Sequence, residues 1–474
     1  MKRILTWMLI GLSLMMAANS ACAEETLQFG RFGTVHIYAP EGRPQQVAIF
    51  VSGDGGWELG VIDMSRLLTK EGALVIGVDI RSYLKSLANS RESCSYAAAD
   101  FEALSQYVQK KLGLGDYHSP LLVGYSSGAT LVYGTLAQAP ANTFAGAISL
   151  GFCPDLPLKQ PFCKGPGGLQ SKSRAPHKGF DFVPSDRLPA PWGILQGEID
   201  QTCDIGVAME FSKQTNTGRV VALPHVGHGF GVQKHWVPQF RALYRQLTES
   251  RQPQPAAESV ADLPLVEVPA TREDPSLPMA VLLSGDGGWA GIDREVAQAL
   301  AAKGMPVIGL NSLRYFWSAK QPAQLGSDLD RIIAAYREKW HRDKVVLIGY
   351  SFGADVAPFA FNHLNDKRRP DIDGMVLIGV SPKASFEFRL GHWLGSDEGE
   401  YPVLPELKKV GLPVFCIYGS SEGDDLCPQL TKPEFPTVTG LMLPGGHHMG
   451  GDYALIADKI IRFVFASRGA VADR

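Results

Sequence analysis

Apolar residues gather in short runs, separated by stretches in which apolar positions recur at helical spacing, and this alternation is played out twice along the chain. In the first half the runs include Val75-Ile76-Gly77-Val78, Leu121-Leu122-Val123, Gly146-Ala147-Ile148-Ser149-Leu150-Gly151 and Trp192-Gly193-Ile194-Leu195. In the second half Val307-Ile308-Gly309-Leu310, Val345-Val346-Leu347-Ile348, Gly374-Met375-Val376-Leu377-Ile378-Gly379 and Val414-Phe415-Cys416-Ile417 follow in the same order. Continuous apolar, β-branched runs of this length predict buried strands. Long helices are predicted over about Ala97 to Leu112 and about Ala323 to Arg342, ahead of the Leu121 and Val345 strands. Strands alternating with helices imply βαβ units joined by right-handed crossovers, so each half is predicted to be an α/β domain with a mainly parallel, helix-flanked sheet.

Between the halves, Arg251 to Pro278 is rich in Pro, Ala and Glu and reads as a linker. Within it, Leu265-Val266-Glu267-Val268 matches Val35-His36-Ile37-Tyr38 and reads as the opening strand of the second copy. The expected organisation is a first domain over 24–250, a linker over 251–262 and a second domain over 263–474.

The duplication extends to a motif that carries chemistry. Gly124-Tyr125-Ser126-Ser127-Gly128 recurs as Gly349-Tyr350-Ser351-Phe352-Gly353, each after a short strand and before helix-compatible sequence. A G-x-S-x-G in that setting holds the serine hydroxyl on a sharp turn, clear of the sheet. Val51-Ser52-Gly53-Asp54-Gly55-Gly56-Trp57 likewise recurs as Leu283-Ser284-Gly285-Asp286-Gly287-Gly288-Trp289.

A serine hydroxyl needs a base to take its proton and a carboxylate to orient that base. In α/β-hydrolases the chain order is serine, acid, histidine, and both halves supply it. The first offers Ser126, Asp200 and His228; the second offers Ser351, Asp424 and His448, with His447 as the alternative base. Asp424 is preferred over Asp425 because Asp200 and Asp424 each have a cysteine three residues on, and His448 is preferred because it stands as far beyond Pro444 as His228 stands beyond Pro224. These assignments imply two tandem α/β-hydrolase domains. Oxyanion donors are expected from the backbone N–H of Ser127 and Phe352 and from the glycine loops containing Asp54, Gly55, Asp286 and Gly287. A carboxylate beside an oxyanion would oppose catalysis, so Asp54 and Asp286 are expected to point into the loop's own hydrogen bonds or to bind a cationic group. A metal at His225-x-x-His228 is disfavoured, because the flanking Pro and Gly deny it a helix, and no cofactor motif is present.

Composition narrows the compartment. The 474 residues are 45% hydrophobic and 20% charged, and the net charge of −3, without a basic patch, gives no footprint for nucleic acid. Lys2 and Arg3, an apolar stretch to about Ala18 and Ala21-Cys22-Ala23 read as a signal peptide over 1–23, which implies export to the periplasm. Cys22 offers a lipoprotein anchor as the alternative, although Asn19 stands where such signals usually place leucine. Export makes disulfides the natural reading of Cys94, Cys153, Cys163, Cys203, Cys416 and Cys427. Cys416 with Cys427 is the firmest pair; Cys153 with Cys163 and Cys94 with Cys203 are favoured for the rest.

The glycine loops, Gly349-Tyr350-Ser351-Phe352-Gly353-Ala354-Asp355 and Pro444-Gly445-Gly446-His447-His448 ahead of Gly450-Gly451-Asp452-Tyr453 together resemble the AcvB/VirJ family of exported bacterial virulence-associated proteins. The resemblance covers nearly all of the chain beyond the leader, and about Leu263 to Ala466 looks like the single VirJ domain. It implies periplasmic hydrolysis of aminoacylated phosphatidylglycerol, with Ser351 as nucleophile, Asp424 as acid and His448 or His447 as base. The implied partners are that lipid at the membrane surface and proteins of a secretion system. The resemblance implies a degenerate first half, whereas here Ser126, Asp200 and His228 are all present; the second half is favoured as the working one because its motifs match the single-domain relatives. Asp286 or Asp355 could meet the substrate's ammonium group, and Phe386 to Leu394 is amphipathic enough to meet lipid or to cap the sheet. Other readings are a hydrolase of generic carboxylic esters and a non-enzymatic interaction protein assisting secretion.

Overall fold

The computed structural model describes residues 24–174, 178–249, 258–272, 274–389 and 399–472. The leader with Cys22, linker residues 251–257 and Leu390 to Leu394 lie outside the described residues.

The first half builds one sheet from β1 (Glu24–Phe29), β2 (Gly33–Tyr38), β3 (Gln46–Val51), β4 (Ala73–Val78), β5 (Leu121–Tyr125), β6 (Gly146–Leu150), β10 (Trp192–Gly197) and β11 (Gly218–Leu223). A small antiparallel sheet of β7 (Asp155–Leu156), β8 (Gln170–Ser173) and β9 (Phe180–Val183) is inserted between β6 and β10. The main sheet runs β1-β2-β4-β3-β5-β6-β10-β11 and is parallel from β4 onward. The second half uses β12 (Leu265–Val268), β13 (Met279–Leu283), β14 (Val307–Leu310), β15 (Val345–Tyr350), β16 (Ile372–Ile378), β19 (Val414–Gly419) and β20 (Val438–Leu443), in the order β12-β14-β13-β15-β16-β19-β20. β17 (Lys383–Ala384) and β18 (Tyr401–Pro402) form a two-residue ladder beside it. Without β1 the two main sheets have the same topology, and β12 takes the antiparallel place of β2, as their sequences suggest.

The central strands are apolar along their whole length because both faces are covered. In β3, Val47, Ile49 and Val51 pack into one layer while Ala48 and Phe50 pack into the other. The second half repeats the two-layered core around Val281 and Leu283 on one face and Ala280 and Leu282 on the other. The expected helices are found at Ala97–Lys111 and Pro322–Trp340. Among the described residues no helix is long and apolar enough to cross a membrane.

The disulfides are Cys94–Cys163, Cys153–Cys203 and Cys416–Cys427. The last is the pair expected, whereas the other four cysteines exchange partners relative to expectation. The reason is local pairing: Ser95 bridges Phe162, which brings Cys94 beside Cys163. Cys153 and Cys203 follow β6 and β10, which are neighbours in the sheet.

The halves touch along a seam. Tyr117 packs with Leu313, Trp317 and Phe388. Trp317 Nε1 donates to the Leu114 carbonyl at 2.7 Å, Asn142 Nδ2 to the Trp289 carbonyl at 3.1 Å, and Lys110 pairs with Glu387 at 2.9 Å. Phe386 and Phe388, the described aromatics of the stretch considered for lipid contact, are buried against protein instead.

Candidate active sites

Each serine motif forms a strained elbow. Ser126 has φ 56°, ψ −125° and Ser351 has φ 52°, ψ −121°, a region that a residue with a Cβ occupies only when its surroundings hold it there. The hold is visible in the backbone: Ser126 N donates to the Leu150 carbonyl and Ser351 N to the Ile378 carbonyl. The flanking glycines are required sterically. A Cβ on Gly124 would lie 2.1 Å from the Gly128 oxygen, and one on Gly128 would lie 2.4 Å from the Ser52 oxygen.

In the first half the side chains on three loops meet. Ser126 Oγ is 2.9 Å from His228 Nε2, and His228 Nδ1 is 2.9 Å from Asp200 Oδ2. Asp200's side chain is fully buried and its other oxygen accepts from the backbone N–H groups of Thr202 and Cys203, both at 2.9 Å. With Gln196 Nε2 donating to Oδ2 at 3.3 Å, four donors surround a carboxylate that water cannot reach, which fixes its acceptor face toward the imidazole. Tyr125 Oη donates to the His228 carbonyl at 3.0 Å and pins the loop from the other side.

The elements expected to supply oxyanion donors lie nearby. Ser127 and Phe352 begin helices, so their N–H groups have no acceptor within the helix. Gly53 lies so close to the elbow that its missing Cβ would come within 3.0 Å of Ser126 Cβ. Asp54 accepts from Ser127 Oγ at 2.7 Å and therefore engages the loop's own hydrogen bonds. Gly55 lines an open groove of about 260 Å³ with Tyr125, Val61, Met64 and Gly229.

The second half repeats the plan with different residues from those expected. His447 Nδ1 pairs with Glu422 Oε1, and Glu422 Oε2 accepts from Gly419 N at 3.1 Å. Tyr350 Oη donates to the His447 carbonyl at 3.3 Å, as Tyr125 does to His228. Gly379 lies against the His447 ring as Gly151 lies against that of His228. Asp424 and His448, the favoured acid and base, are exposed, and neither joins this arrangement. His447, the alternative base, is the equivalent of His228, and the acid beside it is Glu422. Among the described residues no hydrogen bond links Ser351 to a histidine, and the His447 side chain is 41% exposed against 20% for His228, so the second site is the more open.

Carboxylates crowd the second site. Among the described residues Asp286 has no hydroxyl partner, because Phe352 stands where the first copy has Ser127. Asp355 stands where the first copy has Thr130, with Oδ1 accepting from Ser381 N at 2.6 Å; burial pushes its pKa well up, and the Asp286 charge adds to the shift. Asp293 replaces Val61 and is likewise raised by burial. Asp425 is pushed up to about 6 by burial, and its Oδ2 is buried with no hydrogen-bond partner among the described residues.

Residues 45–148 and 278–467 match the family model described as bacterial virulence protein (VirJ). No curated protein matches the chain. Similar solved structures include Est1E from Butyrivibrio proteoclasticus, at 15% identity over 48% of this chain and 99% of that one, with a TM-score of 0.34. An alpha-beta serine hydrolase homologue from Coxiella burnetii is 17% identical over 48% of this chain and 97% of its own, with a TM-score of 0.30. Dienelactone hydrolase from Anabaena variabilis ATCC 29413 is 16% identical over 48% of this chain and 95% of its own, with a TM-score of 0.33. With the family model matching more than half of its residues, the chain belongs to the bacterial virulence protein (VirJ) family.

Proposed function

We propose that this protein is an exported serine hydrolase of carboxylic esters, acting in the periplasm on aminoacylated phosphatidylglycerol and releasing the free amino acid and the lipid. The observation that carries the hydrolase reading is the unbroken relay from Ser126 through His228 to Asp200. In this mechanism His228 Nε2 takes the Ser126 proton as Oγ attacks the ester carbonyl. Asp200 stabilises the imidazolium, and the Ser127 N–H with an N–H of the glycine loop receives the oxyanion. The proton then passes from His228 to the departing glycerol oxygen, leaving an aminoacyl-serine that water hydrolyses by the same relay. Three disulfides and membership of the family are consistent with export.

A second reading, in which Ser351 with His447 and Glu422 is the principal centre, is favoured by one observation. The family match runs through the whole second site but stops at residue 148 in the first half, short of Asp200 and His228. In that reading Asp286, which lacks a hydroxyl partner, receives the substrate ammonium.

Release of amino acid from lysyl- and alanyl-phosphatidylglycerol by wild type, Ser126→Ala, Ser351→Ala and the double variant separates these readings. We expect the double variant to be inactive and Ser126→Ala to lose the larger share. A larger loss with Ser351→Ala supports the second reading. No release by wild type removes this lipid as substrate, and no labelling of either serine by a fluorophosphonate leaves the interaction protein.

A further inference from the structure

We propose that Gln196 and the Cys153–Cys203 disulfide form a clamp that positions Asp200, so that the first centre works fully only in the oxidised protein. The inference rests on the reading of Ser126, His228 and Asp200 as a hydrolytic relay.

Gln196 is the penultimate residue of β10 and is completely buried. Its side-chain amide is spent on three partners around the acid. Oε1 accepts from Phe152 N at 2.8 Å, while Nε2 donates to the Cys203 carbonyl at 2.6 Å and to Asp200 Oδ2 at 3.3 Å. Phe152 is followed by Cys153, whose sulfur is bonded to Cys203, and Cys203 N itself donates to Asp200 Oδ1 at 2.9 Å. The chain of contacts therefore closes on itself: Gln196 to Phe152, along the backbone to Cys153, across the disulfide to Cys203, and back to Gln196. Asp200 is held by two members of that ring, Gln196 at Oδ2 and Cys203 at Oδ1. Gly151, two residues before Cys153, lies against the His228 ring, so the same short segment touches both the acid's support and the base.

The second half is a built-in control. Counted from the glycine that follows β6 or β16 (Gly151, Gly379) and from the glycine that ends β10 or β19 (Gly197, Gly419), Ser381 stands for Cys153, Tyr418 for Gln196 and Asp425 for Cys203, so none of the clamp is kept. Its own disulfide, Cys416–Cys427, instead ties a residue within β19 to the start of a short helix. A plain stabilising role for Cys153–Cys203 does not require a buried amide wired to both the acid and the cysteine backbone. Cys153 is partly exposed, so a dithiol can reach it. Reduction breaks the one S–S bond, leaves a hydrogen on each sulfur and oxidises the dithiol to its own disulfide.

Labelling of Ser126 and Ser351 by a fluorophosphonate, followed separately by peptide mass spectrometry in the full chain, tests the clamp. A misplacement on the order of 1 Å costs about 100-fold in such a relay. Gln196→Leu and the Cys153→Ser/Cys203→Ser pair should therefore each slow Ser126 labelling by at least about 10-fold, with Ser351 labelling within about twofold of wild type. Dithiothreitol should slow Ser126 labelling in the wild type and have no further effect on the cysteine pair. In a Ser351→Ala background, Gln196→Leu should lower kcat toward a small p-nitrophenyl ester and leave KM within about twofold. Unchanged Ser126 labelling in both variants overturns the proposal, as does equal loss at both serines, which would report general destabilisation. A wild type that does not label at Ser126 removes the relay reading itself, an outcome distinct from failure of the clamp.

Discussion

Glu422 serves His447 with a side chain one methylene longer than that of Asp200, starting from the same place, the third residue after the glycine that ends the strand. Both carboxylates meet the imidazole at Nδ1, and in the proposed mechanism Nε2 is the nitrogen that faces the serine. The amide isostere should therefore favour the wrong tautomer, as in other Ser-His-acid centres. In a Ser126→Ala background, Glu422→Gln should slow Ser351 labelling by about 10³-fold, while Asp424→Asn, an exposed position with no contact to the ring, should leave it within about twofold. The opposite order would return the acid role to Asp424. The contact of Ser126, His228 and Asp200 was legible in the sequence because the three residues occupy the expected loops. The second was misread by register: the two cysteines that served as the ruler are not equivalent, since Cys203 bonds across to the β6 loop and Cys427 to its own strand. The histidine loop is also one residue shorter in the second copy. Val226 and Gly445 carbonyls accept from the matching Ile199 and Ser421 N–H groups, so His228 aligns with His447.

At the scale of elements, the sheets could be read from the sequence because strands covered on both faces are apolar throughout, and their short length between glycines separates them from helices. β8 gave no such signal: Gln-Ser-Lys-Ser is polar and mostly exposed, and its pairing with β9 is a consequence of the fold around it. The elbow is the element on which both sites depend, and its glycines mark where a strand and a helix approach most closely. Gly124→Ala would drive a methyl group into the Gly128 carbonyl, and since both are backbone the strain cannot be relieved by a rotamer change. A loss of about 2–4 kcal/mol is expected, read as a lowered urea midpoint, together with loss of Ser126 labelling. Gly55→Ala, where an added Cβ meets nothing within 4 Å, should leave the stability within about 0.5 kcal/mol of wild type. Equal midpoints for the two variants would contradict this account of the turn.

For the whole molecule, the seam brings Glu102 of the helix Ala97–Lys111 under the influence of Asp286, on the glycine loop of the other half. Glu102 also lines a small cleft with Tyr117, Asn142, Gly287, Trp289 and Arg314, residues drawn from both halves. Burial, reinforced by the Asp286 charge, pushes its pKa from 4.5 up to about 8. Because the folded value lies above the unfolded one, the folded protein keeps a proton that the unfolded chain releases between those limits. Stability from this group is therefore fully present below about pH 4.5, falls as pH rises and is gone above about pH 8. The raised Asp425, Asp293 and Asp355 act in the same direction over their own ranges. Thermal unfolding followed from pH 5 to pH 8.5 should show the midpoint declining, and Glu102→Gln, which keeps the shape of the side chain and cannot ionise, should flatten part of that decline. The effect should appear in the seam as well: exchange of backbone hydrogens around 114–119 and 313–317 should speed up with pH in the wild type more than in Glu102→Gln, after correction for the intrinsic rate. An identical pH dependence in the two proteins would mean that Glu102 ionises freely, and that the halves meet without a half-buried, protonated carboxyl between them.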